Sequence, residues 1–382
     1  MPSRLLGAIC LLILCGLLVA GLWPFHAPKN EVSWLSSGNG LLFGEYGSIV
    51  SLGAFNGNKS TETTPCSVEI WLQPTRDYSG TILSFYLPEY GVVPLKLWQS
   101  HGYLGIRRKS LDQFHHAQGV EIYAADIFRR GKSVLVTISS GPAGTRVYAD
   151  GRLTREFTDF RFSSQNLTGQ LILGNAPMRA DPWSGQLKGL AVYDRELTTA
   201  EVSQHYANWT KNAQTDLAKS EGPDALYLFN EGRGSVVHNQ IDSATDLSIP
   251  KRFFVLHEQF LVPPWREYYP TWSYWTNVGI NIAGFIPFGF FVSMYLSSVR
   301  KIKQAMVVTI VLGLIVSLTI EVLQSFLPTR DSGMTDLMTN TLGTALGVIW
   351  FVWIAPQPWL VRLGILSRFS VEERRDELQL VE

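Results

Sequence analysis

The chain is short of cysteine, short of charge and without charge bias, and each shortage narrows what it can be. Three cysteines occur among 382 residues. Cys10 and Cys15 lie in one apolar run and Cys66 stands alone, which excludes a disulfide framework and a cysteine-based zinc site. Neither Cys10 nor Cys15 follows the small residues of a lipoprotein signal, so no lipid anchor is expected there. Charged residues make up 17% of the chain, below the roughly 25% of soluble domains. Lys+Arg and Asp+Glu balance at 32 each, so no net field attracts nucleic acid. There is no Ser-His-Asp order, no H-E-x-x-H and no phosphate-cradling Gly-rich loop, so no motif signals an enzyme.

Apolar residues, 46% of the total, are unevenly placed. Four runs approach the ~20 residues that a helix needs to cross a bilayer: Leu5–Leu22, Val278–Leu296, Ala305–Leu327 and Leu337–Ile354. The first is expected to remain as an anchor, since Leu18-Val19-Ala20 makes a mediocre cleavage site. Basic residues set the orientation. Arg4 precedes the first run, Arg300, Lys301 and Lys303 follow the second, and Arg362, Arg368, Arg374 and Arg375 follow the fourth. Four spans put all three groups and both termini in the cytoplasm. The middle of the chain and the short Pro328–Thr335 loop then lie on the outer side of the cytoplasmic membrane.

The expected organisation is an N-terminal membrane helix over residues 1–30, an outer domain over 31–252 and an interfacial stretch over 253–275. Three membrane helices over 276–356 and a cytoplasmic tail over 357–382 complete it. The 253–275 stretch holds Phe253, Phe254, Trp265, Tyr268, Tyr269, Trp272, Tyr274 and Trp275, rings that favour the headgroup level.

Short alternating runs separated by turn signals fill the outer domain. Val68, Ile70 and Leu72 share one face of Ser67–Gln73, and Asp150-Gly151 makes a hairpin turn between Val147-Tyr148 and Leu153. Thr198 and Glu201 form a capping box for one short helix carrying Val202 and Tyr206. The pattern predicts an all-β jelly-roll sandwich joined to an α-helical transmembrane bundle. Ser67-Val68-Glu69-Ile70-Trp71-Leu72, Val147-Tyr148-Ala149-Asp150-Gly151 and the ending from Gly185 to Leu197 resemble laminin-G-like, concanavalin A-like domains. The resemblance departs where that ending usually carries an Asp-Glu pair, for here Lys188 and Gly189 stand. It implies the fold, with glycan or an envelope protein as the expected partner. Asp150, Asn175, Asp181 and Asp194 sit in predicted turns and have the oxygen chemistry of weak calcium ligands, although turns use Asp and Asn for their own reasons.

Polar residues recur in the last three apolar runs, in pairs three or four apart that share a helix face. They are Asn277 and Asn281, Glu321 and Gln324, and Asp336 and Asn340, with Arg330 in the loop between. The expected orientation brings all seven near the outer leaflet, Glu321 about 9 Å below the end of its helix. Gly284, Gly343 and Gly347 continue two of these faces and allow close helix approach. An ionised Glu321 facing lipid would cost on the order of 3 kcal/mol, which a contact with Arg330, Asn281 or Asn340 would relieve. One polar site among three helices is therefore expected, as a place for a lipid headgroup.

Asn281-Ile282-Ala283-Gly284-Phe285-Ile286-Pro287-Phe288-Gly289, the run from Glu321 to Arg330, and Asp336-Leu337-Met338-Thr339-Asn340-Thr341-Leu342-Gly343 resemble the three ordered motifs of VanZ-like membrane proteins. The resemblance implies a bacterial cell-envelope protein with a context in low-level teicoplanin resistance; it supplies a location and no reaction. Three readings follow: a binder of a lipid headgroup or cell-wall precursor; a membrane-embedded hydrolase or transferase using Glu321, Arg330 and Asp336; or a passive anchor displaying the sandwich. No cofactor is assigned beyond the weak calcium candidates. Alkaline phosphatase fused within the Pro328–Thr335 loop of the bacterially expressed chain should be active, and fused after Arg368 inactive. The opposite pair of readings would invert the orientation.

Overall fold

A computed structural model of the protein describes residues 3–56, 63–109, 119–211, 217, 222–268, 270–298 and 302–354. Tyr269, Arg300, Lys301, Arg362, Arg368, Arg374, Arg375 and the expected cytoplasmic tail lie outside the described residues. The helices in chain order are α1 (Ser3–Leu22), α2 (Thr199–Thr210), α3 (Trp272–Leu296), α4 (Ile302–Gln324) and α5 (Met334–Ile354), with a single helical turn at Pro264–Glu267. The chain divides into two compact units, Ala27–His257 and a helical unit made of Met1–His26 with Glu258–Glu382.

The first unit is a sandwich of two antiparallel sheets. One runs Val32–Trp34, Leu41–Phe43, Gly185–Tyr193, Cys66–Pro74, Val134–Gly141, Gly144–Ala149 and Arg152–Phe157, with Ala225–Tyr227 added beside Gly185–Tyr193. The other runs Val236–Val237, Leu247–Ser248, Ile49–Ser51, Gln170–Leu173, Gly80–Leu87, Val92–Ser100, Tyr103–Arg108 and Val120–Ala124. Alternation directs Val68, Ile70 and Leu72 inward, paired with Ile138, Val136 and Val134, and Leu83, Phe85, Leu95 and Leu97 of the opposing sheet belong to the same core.

The opposite face of the first sheet is also buried, beneath α2. Thr198 caps that helix through the Glu201 N–H, and Glu201 returns a bond from the Thr198 N–H at 2.7 Å. Burial acts to raise the Glu201 pKa, but the Thr198 donors and the Arg195 guanidinium 2.6 Å away overcome it and hold the carboxyl down at about 2. Val202 and Trp209 of α2 pack on Leu135, Tyr148, Ala191 and Tyr193.

Glu69, between the inward-facing Val68 and Ile70, is thereby fully enclosed. Its Oε1 accepts from Thr137 Oγ1 at 3.2 Å and lies 3.1 Å from His205 Nδ1. Its Oε2 accepts from the Tyr193 hydroxyl and from Trp209 Nε1, each at 3.1 Å. The departure at Lys188 and Gly189 has its reason here. A Cβ on Gly189 would run into the Trp209 ring, and Lys188 reaches Ser133 Oγ at 2.8 Å beside Trp71.

Phe253 and Phe254 do not belong with the interfacial aromatics. Both lie in the sandwich unit, where Phe253 is fully buried, donates its N–H to the Pro28 carbonyl at 3.0 Å and meets the Tyr46 ring. Trp265, Tyr268, Trp272 and Trp275, in the helical unit, are exposed. Trp272, Tyr274 and Trp275 begin α3 instead of preceding it, since Thr271 Oγ1 accepts the Tyr274 N–H and starts the helix there.

In the helical unit α1, α3, α4 and α5 are each long and apolar enough to cross a membrane. Leu6 of α1 is buried against Phe290, Met294 and Phe351. Replacing Glu69 by Ala would strand four buried partners and should cost about 3–5 kcal/mol in unfolding free energy. Glu69→Gln keeps one acceptor oxygen and should lose less. A melting curve of E69A that overlays the parent would contradict this account of the buried network.

Candidate polar site in the helical unit

The site is organised by the start of α5, whose first N–H groups have no partner within the helix. Each of three finds one from elsewhere. Gly333 N–H donates to Glu321 Oε2 at 2.8 Å, Met334 N–H to the Val262 carbonyl at 2.9 Å, and Thr335 N–H to Glu267 Oε2 at 3.0 Å. Val262 returns its own N–H to the Ser332 carbonyl, forming a short parallel bridge between its segment and the α4–α5 loop. Aligned peptide dipoles at a helix start favour negative charge, so two carboxylates here are physically apt.

Asp336, in the first turn of α5, accepts from Asn281 Nδ2 of α3 at 2.8 Å. One turn deeper, Asn340 Nδ2 donates to Ser317 Oγ of α4 at 3.0 Å, and Thr344 Oγ1 donates to the Asn340 carbonyl. Glu321 is 1% exposed and Asn340 5%, so these are interior groups. Glycine permits the close packing that encloses them. A Cβ on Gly343 would collide with the Ile282 carbonyl, one on Gly347 with the Ile286 carbonyl, and one on Gly289 with the Thr344 carbonyl.

Of the seven residues singled out in the sequence, Asn281, Glu321, Asp336 and Asn340 come together. Gln324 and Arg330 turn instead to the end of α1. Gln324 Nε2 donates to the Gly21 carbonyl at 2.9 Å, and Arg330 donates from Nε at 3.0 Å and from Nη2 to the Trp23 carbonyl. The expected contact of Arg330 with Glu321 is therefore not made. The carbonyls at the end of α1 lack helical donors, and the guanidinium satisfies one of them. Asn277 is exposed and makes no side-chain hydrogen bond among the described residues. Gly284 is likewise not a packing glycine, its nearest neighbour being Leu17 Cδ2 at 3.9 Å; Gly289 fills that role.

Sequence reading missed Glu267. It lies among aromatics and its helical turn is four residues long, too short to show a period. Five buried side-chain atoms of this unit have no partner among the described residues: Ser297 Oγ at the far end of α3, and Gln324 Oε1, Asn340 Oδ1, Thr329 Oγ1 and Thr335 Oγ1 toward the polar site.

The calcium candidates of the sandwich are engaged in structural roles. Asp150 Oδ1 accepts from the Leu135 N–H at 3.0 Å, and Asn175 Oδ1 from the Asp181 N–H at 2.9 Å. Asp181 accepts from Thr81 at 2.5 Å and pairs with Lys96 at 2.8 Å. Burial opposes ionisation of Asp181, but Lys96 and Thr81 prevail and lower its pKa. Asp194 is exposed. Among the described residues no group of three or more His, Cys, Asp or Glu side chains is arranged to hold a metal ion.

Two antiparallel sheets with four apolar helices define a membrane protein carrying a lectin-like sandwich. Residues 228–355 match the VanZ/LLP1 family model, and residues 47–203 match a laminin-G model of the concanavalin A-like lectin/glucanases superfamily. The protein thus joins a VanZ-like domain to a laminin-G-like domain, the VanZ match beginning inside the last strands of the sandwich unit. No curated protein matches the chain.

Solved structures similar to it include the receptor-binding domain of botulinum neurotoxin C/D mosaic serotype, at 15% identity and TM-score 0.37, over 47% of this chain and 45% of that one. A SAP-like pentraxin from Limulus polyphemus is similar at 17% identity and TM-score 0.31, over 46% of this chain and 78% of that one. The CBM40 module of the Ruminococcus gnavus IT-sialidase bound to α2,3-sialyllactose is similar at 16% identity and TM-score 0.31, over 38% and 83%. The chain spans less than half the length of the neurotoxin domains it matches.

The packing carries its own check. Gly343→Ala should destabilise the detergent-solubilised protein by about 1–3 kcal/mol, as overpacking does, while Gly284→Ala should leave its melting temperature unchanged. Equal melting temperatures would contradict the assigned contact of α3 with α5.

Proposed function

We propose that the helical domain binds the polar headgroup of an envelope lipid or a lipid-linked cell-wall intermediate at the outer face of the cytoplasmic membrane. In this reading the laminin-G-like domain, on the same side, engages glycan or an envelope protein. The observation that carries it is the set of buried oxygens without donors beside three acidic side chains at the start of α5. A bundle that needed only internal glue would pair its polar groups, since each buried unpaired group costs about 1–3 kcal/mol.

Sidedness follows from basic residues. Arg4 begins α1 and Lys303 begins α4, whereas the polar site lies at the opposite ends of both helices, beside Trp23 and Glu321. By the positive-inside rule the site end is extracytoplasmic. The same reading carries the context of low-level teicoplanin resistance that the sequence resemblance implies. The hydrolase or transferase reading requires Arg330 beside Glu321 and Asp336, and the guanidinium is instead engaged with Trp23. The passive anchor has no use for the unpaired oxygens.

Native mass spectrometry of the full-length protein, purified with its membrane lipids, tests the reading. The parent should retain a lipid species that the Glu321→Gln/Asn340→Ala variant, at equal abundance, loses by about tenfold or more. Identical lipid complements would leave only the anchor, and a chemically altered lipid appearing on incubation would point to the enzyme.

A further inference from the structure

The polar site of the helical unit is rich in acceptors and poor in donors and positive charge. Glu321, Glu267 and Asp336 converge on one helical turn, through Gly333, Thr335 and the position of Asp336 itself. Glu267 Oε1 also occupies the space where a Cβ of Gly333 would stand, so the two glutamates crowd the same residue. Among the described residues none of the three carboxylates forms an ion pair, and no hydrogen bond reaches Glu267 Oε1 or Asp336 Oδ2. The start of a helix offers the equivalent of only about +0.5 charge, well short of three carboxylates.

The floor of the cluster has the same deficit. Asn340 lies one turn below Asp336 on α5, and its partner Ser317 lies one turn below Glu321 on α4. Its amide nitrogen is spent on Ser317, leaving Oδ1 on the other arm of the amide, 5% exposed as a residue and without a donor. Outside this floor, Gln324 turns to the end of α1, its nitrogen spent on Gly21 and its Oε1 without a donor.

A metal ion is a poor answer, because the three acids, though they meet on one helical turn, are not among any group of His, Cys, Asp or Glu side chains of the described residues arranged to hold one. Acceptor oxygens that no donor answers call for a compact cation that brings its own directed N–H bonds. A primary ammonium has three donors and no acceptor; a quaternary ammonium has none. We infer that this site takes a protonated primary amine, and that the bound headgroup is one that carries it, of the phosphoethanolamine kind. This rests on the reading of the site as a headgroup site and narrows it to a chemical class.

The test compares short-chain phosphatidylethanolamine, phosphatidylcholine and phosphatidylglycerol, at equal concentration, on delipidated full-length protein by native mass spectrometry. Phosphatidylethanolamine should be retained at least tenfold over the other two. The Glu267→Gln/Asp336→Asn variant keeps an acceptor oxygen for the Thr335 N–H and for Asn281, and should lose that preference at unchanged melting temperature. If that variant fails to fold, the three-lipid comparison on the parent decides alone.

Equal retention of the ethanolamine and choline lipids would overturn the amine inference and leave the headgroup reading standing. So would preference for phosphatidylglycerol that disappears with Arg330→Ala. Retention of no lipid would overturn both. Binding of free ethanolamine as tight as that of its lipid would keep the amine chemistry and reject the lipid.

Discussion

The helical unit depends on how the first turn of α5 is satisfied. Three backbone N–H groups, at Gly333, Met334 and Thr335, would be orphaned at the end of an apolar helix, where water is scarce and each loss is expensive. Their partners come from three places in the chain: a side chain of α4, a carbonyl of the Val262 segment and a side chain of the turn before α3. That one junction ties the chain before α3 and the end of α4 to α5. Below it, the close packing of α3 and α5 at Gly289, Gly343 and Gly347 extends the tie along the helices.

Two buried glutamates in this protein illustrate opposite uses of the same side chain. Glu69 in the sandwich has donors from Thr137, Tyr193 and Trp209 and a His205 nitrogen alongside, so both oxygens are answered within the fold. It fixes α2 to the sheet and has nothing left over. Glu321 shares its small region with two further acids and with the Asn340 amide oxygen, which nothing answers. A saturated network belongs to stability; an unsaturated one invites a partner from outside.

The stretch from Glu321 to Arg330 does two jobs that its sequence presents as one. Glu321 faces α5, whereas Gln324 and Arg330 receive the carbonyls at the end of α1. This makes α1 an integral member of the bundle, with Leu6 buried at its far end against α3 and α5. The guanidinium that looked like a ligand-binding charge acts here as a C-terminal cap for α1.

Much of the architecture was legible in the chain because it rests on local periodicity. Alternation at Val68, Ile70 and Leu72, the Thr198–Glu201 capping box and the long apolar runs each encode an element within a few residues. Helix-face spacing likewise foretold that Asn281, Asp336, Glu321 and Asn340 would gather. What the sequence could not reveal was which side chain meets which. Glu267 entered from a four-residue turn with no period, Arg330 went to Trp23, Gly289 replaced Gly284, and Phe253 went into the sandwich unit. Those outcomes are set by where orphaned backbone groups and close backbone approaches fall in three dimensions. Segments remote in the chain must meet before such demands exist, so no local pattern encodes them.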